Sequence, residues 1–84
     1  MNKAVDFVGR LIYDDNGREV INFGKYKGRL AEEVLTVEPS YYDWIMRSDF
    51  ASSTQKAFTA VMDRVKAARN TSSIPEAAEG SANA

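Results

Sequence analysis

The 84-residue sequence has no cysteine and no histidine, only two prolines, and a single tryptophan. Without cysteine there is no disulfide to staple the fold and no thiolate nucleophile, and without either residue the usual zinc sites are excluded. The missing histidine also removes the commonest general base. Ser40, Ser48, Ser52 and Ser53 therefore have no imidazole to activate them, and each stands where a cap or turn residue belongs. Two-metal nucleases present converging carboxylates, typically from an Asp-x-Glu pair on a strand, and no Asp-x-Glu occurs here. Asp14 and Asp15 fall in a turn-like stretch, while Glu32 and Glu33 are helix neighbours about 100° apart, as solvated positions are. The expectation is a chain with no catalytic site and no cofactor. No stretch approaches the roughly 18 apolar residues of a membrane span, and Met1-Asn2-Lys3-Ala4-Val5-Asp6 lacks a signal peptide's apolar run. That reads as a soluble, cytoplasmic protein without membrane contact.

The formal net charge of −1 is unevenly spread. All eleven Lys and Arg precede residue 71, whereas the last segment, TSSIPEAAEGSANA, holds Glu76 and Glu79 and no base. That segment is too poor in large apolar groups to offset its ordering entropy and reads as a disordered tail over 71–84. Residues 1–70 form one small domain, with a net stability on the order of 5 kcal/mol or less. Its near-neutral charge leaves only local clustering to argue for an anionic partner.

Within 1–70 the pattern gives two strands and three helices. RLIY and REVINF flank DDNG, a turn signal in which Asn16-Gly17 can take positive φ, so the segment reads as a β-hairpin. Alternation places Ile21 and Phe23 toward the core and Asn22 nearer solvent. Val5, Phe7 and Val8 either extend the first strand or add an apolar anchor. Leu30, Val34 and Leu35 repeat at helical spacing, and Pro39 ends that helix near Val37. Pro39 suits the first turn of a second helix carrying Tyr41, Trp44 and Ile45, with Ser40 and Asp43 as a capping-box variant. Ser52 and Gln55 form the same motif ahead of a third helix, whose inner stripe is Phe58, Val61, Met62 and Val65 and whose last turns carry Lys66 and Arg69 to complement the dipole. The fold class is α+β, a β-hairpin packed against three short helices. Trp44, Phe23, Phe50 and Phe58 are assigned to the core, so that loss of Trp44 is expected to unfold the domain. Tyr26 and Tyr42 are left free of that demand, and loss of Tyr42 is expected to be tolerated.

One loop remains, FGKYKGR. Gly24 and Gly28 let the backbone approach a ligand closely, Lys25, Lys27 and Arg29 supply charge, and Tyr26 offers a stacking face for an unpaired base. On residue chemistry alone the better reading of the same stretch is a solvated strand-to-helix connection, because such loops are common and the domain is not basic overall. It matches neither the P-loop nor the dinucleotide fingerprint.

The ordered set Phe23-Gly24-Lys25-Tyr26-Lys27-Gly28, Glu38-Pro39, Tyr41-x-x-Trp44 and Asp49-Phe50 resembles the small C-terminal domain of bacterial DEDD-class 3′-5′ exonucleases. These are relatives of the DNA polymerase III epsilon subunit and of exodeoxyribonuclease X. The resemblance extends over about residues 10 to 66 and is nearest the Bacteroides-type version, with Ser40 and Ser48 where glycine is often found. It implies a non-catalytic accessory module of an exonuclease acting in DNA replication or repair, whose catalytic carboxylates sit in a separate nuclease domain. Under it, Gly24, Lys25, Tyr26, Lys27, Gly28 and Arg29 form a nucleic-acid-binding loop. The implied partners are single-stranded DNA or DNA ends and the parent's nuclease domain. The alternative is a protein-interaction module that tethers the nuclease to a polymerase or other partner through exposed apolar residues, with Tyr42, Met46 and Met62 as candidates.

Overall fold

Alternating apolar residues around a glycine turn dictate the first element. In the structure, a computed structural model describing residues 3–73, β1 (Leu11–Tyr13) and β2 (Glu19–Ile21) pair antiparallel, Leu11 opposite Ile21 and Tyr13 opposite Glu19. Asp14 organises the turn: its Oδ1 accepts the backbone N–H groups of Asn16 and Arg18, both at 2.9 Å. Gly17 takes φ of 77° there. The Leu11 and Ile21 side chains are fully buried.

Ahead of the hairpin the chain folds back rather than anchoring. Lys3–Val5 runs antiparallel to β1, with the Val5 N–H donated to Leu11 O and the Tyr13 N–H to Lys3 O, both at 2.8 Å. Val5 packs against the core, but Phe7 is 92% exposed and Val8 is exposed too, so neither supplies the anticipated apolar anchor. Asp6 does the fastening instead. Buried, it accepts the Leu11 N–H through Oδ1 and the Thr54 hydroxyl through Oδ2, joining the hairpin to the third helix.

Three helices follow: α1 (Ala31–Val37), α2 (Ser40–Arg47) and α3 (Ser52–Ser73), the last far the longest at 22 residues. Of the tail expected over 71–84, residues 71–73 continue α3, and 74–84 lie outside the described residues. Phe58, Val61, Met62 and Val65 form the buried stripe of α3 as their spacing requires, and against it pack Ala31, Val34 and Leu35 of α1, Tyr41 and Ile45 of α2, and Leu11 and Ile21 of the hairpin. Burial takes Met62 off the surface, where the tethering alternative needed it. Arg64 adds a clasp to Glu19 at 2.7 Å and to Glu32 at 3.7 Å.

Helix ends depart from the sequence expectations in a consistent way. Pro39 itself occupies the N-cap of α2 with no side-chain cap bond, so Ser40 and Asp43 do not form a capping box. Gln55 does not turn back onto Ser52; its amide donates to the carbonyls of Ile45, Met46 and Ser48 at 3.2–3.3 Å. Arg69 does not serve the end of its own helix, which continues past it, but donates to Thr36 O at the end of α1, at 3.0 Å. In the last two cases α3 supplies donors to the orphan carbonyls of a shorter helix, whose last turn has no intrahelical partner for them.

The aromatic assignments also shift. Trp44 is 48% exposed, not a core residue, whereas Tyr42 is half-buried with its hydroxyl 2.9 Å from Thr59 Oγ1. At 100° per residue, both lie about 80° from the centre of the Tyr41–Ile45 stripe, on opposite flanks. Tyr42's flank faces α3, and Trp44's faces the glycine loop. Phe23 and Phe50 are likewise partly buried, 5.3 Å apart by centroids, beneath the Arg10 guanidinium.

The buried Asp6–Thr54 bond carries a prediction. Thr54→Val keeps shape but leaves an Asp6 oxygen without its donor, at a cost of about 1–3 kcal/mol. For a domain of this size that lowers the thermal midpoint by about 4–8 °C per kcal/mol, measurable by circular dichroism.

Candidate nucleic-acid interface

The strand-to-helix loop is closed at its neck by one residue. Ile21 donates its N–H to Arg29 O at 2.9 Å and accepts the Gly28 N–H at 2.8 Å. Inside that neck Gly24–Tyr26 makes a single 3₁₀ turn, with the Lys27 N–H on Gly24 O and the Arg29 N–H on Tyr26 O. Gly24 and Gly28 have φ of 65° and 90°, in the left-handed region, and a Cβ at either would meet open space. Glycine is thus required by backbone conformation rather than by close approach. The amides of Lys27, Gly28 and Arg29 are bonded within the loop, so they do not form an anion-cradling nest.

The six loop residues anticipated from the sequence separate in space. Tyr26 turns inward: its ring meets Tyr41 edge-on at 5.0 Å, its hydroxyl donates to Glu38 Oε1, and Lys25 Nζ lies 5.0 Å from its centroid. Lys25 and Gly24 line an open cleft of about 560 Å³ together with Phe23, Glu38, Ser40, Tyr41, Trp44 and Arg47. Arg29 lines a different groove, with Arg18, Glu32, Glu33, Thr36 and Val37. Lys27 is exposed and lines neither.

The cleft is aromatic with a cationic rim. Trp44 stacks on Tyr41 at 5.6 Å and 29° and meets Phe50 edge-on at 5.5 Å, so one indole face is packed and roughly half the side chain remains open. Among the described residues neither Lys25 nor Arg47 lies within ion-pair distance of a carboxylate. Lys25, Trp44 and Arg47 therefore combine an aromatic stacking face with two cations not paired to a carboxylate, the pairing that single-stranded nucleic-acid sites use. Glu38 contributes the one carboxylate, fixed by Tyr26. Sequence reasoning missed Trp44, Arg47 and Glu38, because the indole's helical spacing reads as core. The available signal was Arg47 three residues after Trp44, a cation one turn beyond it on the same flank. No helix among the described residues is long and apolar enough to cross a membrane, and no three potential metal-ligating side chains among them gather at one place.

Two tyrosines around the cleft hold their protons more tightly than usual. The bond to Glu38 raises the pKa of Tyr26 above the ordinary 10, with desolvation adding to it, and Tyr41 is raised chiefly by burial and then by Tyr26 and Glu38. A raised folded-state value means that this stability is complete below about pH 10 and is lost as pH climbs through the folded value. Thermal midpoints measured upward from pH 8 are expected to fall more steeply beyond pH 10 in the native domain than in Tyr26→Phe, which has no phenol to ionise at that position.

Residues 21–49 match the family model described as exodeoxyribonuclease X-like C-terminal. No curated protein and no solved structure matches the chain. The matched residues run from Ile21, which closes the loop, through Glu38, Trp44 and Arg47 of the cleft to Asp49. Over that segment the chain is similar to the exodeoxyribonuclease X-like C-terminal family, a type associated with an exonuclease.

Proposed function

We propose that this domain is the non-catalytic nucleic-acid-binding module of a 3′-5′ exonuclease, related to the DNA polymerase III epsilon subunit, acting in DNA replication or repair. The observation that carries the reading is the half-open Trp44 on a cleft rimmed by Lys25 and Arg47. An unpaired base lies on the indole, and the flanking phosphates meet the two cations. Gly24 and Gly28 shape the loop that delivers Lys25 and Tyr26 braces the cleft wall, while Lys27 and Arg29, anticipated as phosphate contacts, lie outside the cleft. The chain's net charge of −1 gives no bulk attraction for DNA, so binding is local and modest. The catalytic carboxylates belong to the parent's nuclease domain, and the module holds single-stranded substrate for it.

A tethering role is the second reading, favoured by Phe7 at 92% and Val37 at 83% exposure. Met46, at 39%, belongs with them, whereas Tyr42 is committed to Thr59. These residues lie outside the aromatic cleft, so the two roles use separable surfaces.

Titration with fluorescein-labelled single-stranded DNA separates them. The native chain is expected to bind with a log–log salt slope of about −1.4, from about −0.7 for each of two phosphates. Lys25→Ala/Arg47→Ala should abolish that slope and weaken binding at least tenfold, while Phe7→Ser leaves it unchanged. Equal binding by the native chain and the double variant would overturn the nucleic-acid reading.

A further inference from the structure

Glu38 is out of place in a cleft meant only for a polyanion. Its backbone is fixed as the C-cap of α1, its N–H donated to Val34 O at 2.7 Å, and Pro39 follows immediately. Tyr26 engages Oε1. Among the described residues no Lys or Arg comes within ion-pair distance of the carboxylate, and no hydrogen bond reaches Oε2. An ionised carboxylate accepts only, with about four lone-pair sites, so one phenol leaves most of that capacity for a donor entering the cleft. A phosphate placed there would be repelled, which assigns the anionic part of the ligand to Lys25 and Arg47 and a donor-bearing edge to Glu38.

We infer that the cleft reads one unpaired nucleobase by its exocyclic amino group, donated to Glu38 while the ring stacks on Trp44. This rests on the nucleic-acid reading above and deepens it. Cytosine and adenine present such an amino donor next to a ring nitrogen acceptor. Thymine presents carbonyl oxygens on both sides of its N3–H, and a carboxylate facing them is disfavoured. The site therefore prefers cytosine over thymine, two pyrimidines with similar stacking area, so that the difference isolates the edge contact. Pre-positioning by Tyr26 gives Glu38 this role, because the carboxylate keeps its orientation before the base arrives.

Trp44 is the sole tryptophan, so its fluorescence reports occupancy of this cleft directly. The 84-residue chain is titrated at pH 8 with (dC)8 and with (dT)8. Native protein is expected to show quenching by both and roughly tenfold tighter binding of (dC)8, the value of one charge-assisted hydrogen bond at about 1.4 kcal/mol. Glu38→Gln, whose amide can turn a donor to the cleft, should remove that preference while still binding both; Tyr26→Phe, which keeps the carboxylate, should retain some of it. Quenching by both with equal affinity in the native chain overturns the base-reading inference and leaves nucleic-acid binding standing. Binding of neither overturns both. A (dC)8 preference undiminished in Glu38→Gln overturns the assignment to Glu38.

Discussion

Ile21 is the point on which hairpin, loop and core all converge. Its side chain is fully buried opposite Leu11, and its two backbone hydrogen-bonding groups are both spent on the far side, on Arg29 and Gly28. That division follows from the ladder. In an antiparallel pair the residues that exchange no hydrogen bonds bring their side chains closest, which suits two large aliphatic groups at the base of a core. Leu11 satisfies its own backbone elsewhere, through Val5 and Asp6. One residue thus sets the register of the hairpin, closes the glycine loop and sends the chain into α1 through the bridge between Val20 and Leu30.

The cleft is a consequence of that closure. Once the loop is pinned at Ile21, Gly24 must reverse the chain at positive φ, which places Lys25 at the cleft and turns Tyr26 onto Tyr41. Tyr41 belongs to both worlds: it is buried against Phe58 on one side and stacked under Trp44 on the other. An aromatic chain therefore runs from the core to the surface, and its last member, the indole, is held by its neighbours while half its area stays open. Aromatic pairs contribute about 0.5–1.5 kcal/mol beyond area burial, enough to fix the ring without covering it.

How much of this was legible in the sequence depended on how local the cause was. The hairpin, the stop at Pro39 and the α3 stripe follow from turn chemistry and periodicity, and all appear where those rules place them. The capping motif at Ser52 did not form because Gln55, one turn into α3, had three orphan carbonyls at the end of α2 beside it, and Arg69 was likewise drawn to one of α1, while at Ser40 the N-cap was taken by Pro39 itself. Trp44 and Tyr42 were indistinguishable by periodicity, since each flanks the same stripe at a similar angle. Only the placement of α3 and the glycine loop decides which flank is covered. The loop lysines were visible as charge, but that Lys25 shares a cleft with Trp44 while Arg29 faces another groove is a property of the closed loop and not of its composition.

The same reasoning explains how a chain of net charge −1 can present a cleft with a cationic rim. Charges beyond a Debye length of about 8–10 Å are screened, so the potential at the cleft is set by its own lining and not by the total. That lining holds Lys25 and Arg47 against Glu38, and Glu38 is not spread over the surface but tied to one wall by Tyr26. The result is a polarised cleft, cationic at the rim and acceptor-only at one wall, with an aromatic face between. Such a pattern discriminates among ligands by where their charge and donors sit, which a uniformly basic patch cannot do. The raised pKa of Tyr26 belongs to the same arrangement: the proton that it retains is the one that keeps Glu38 oriented.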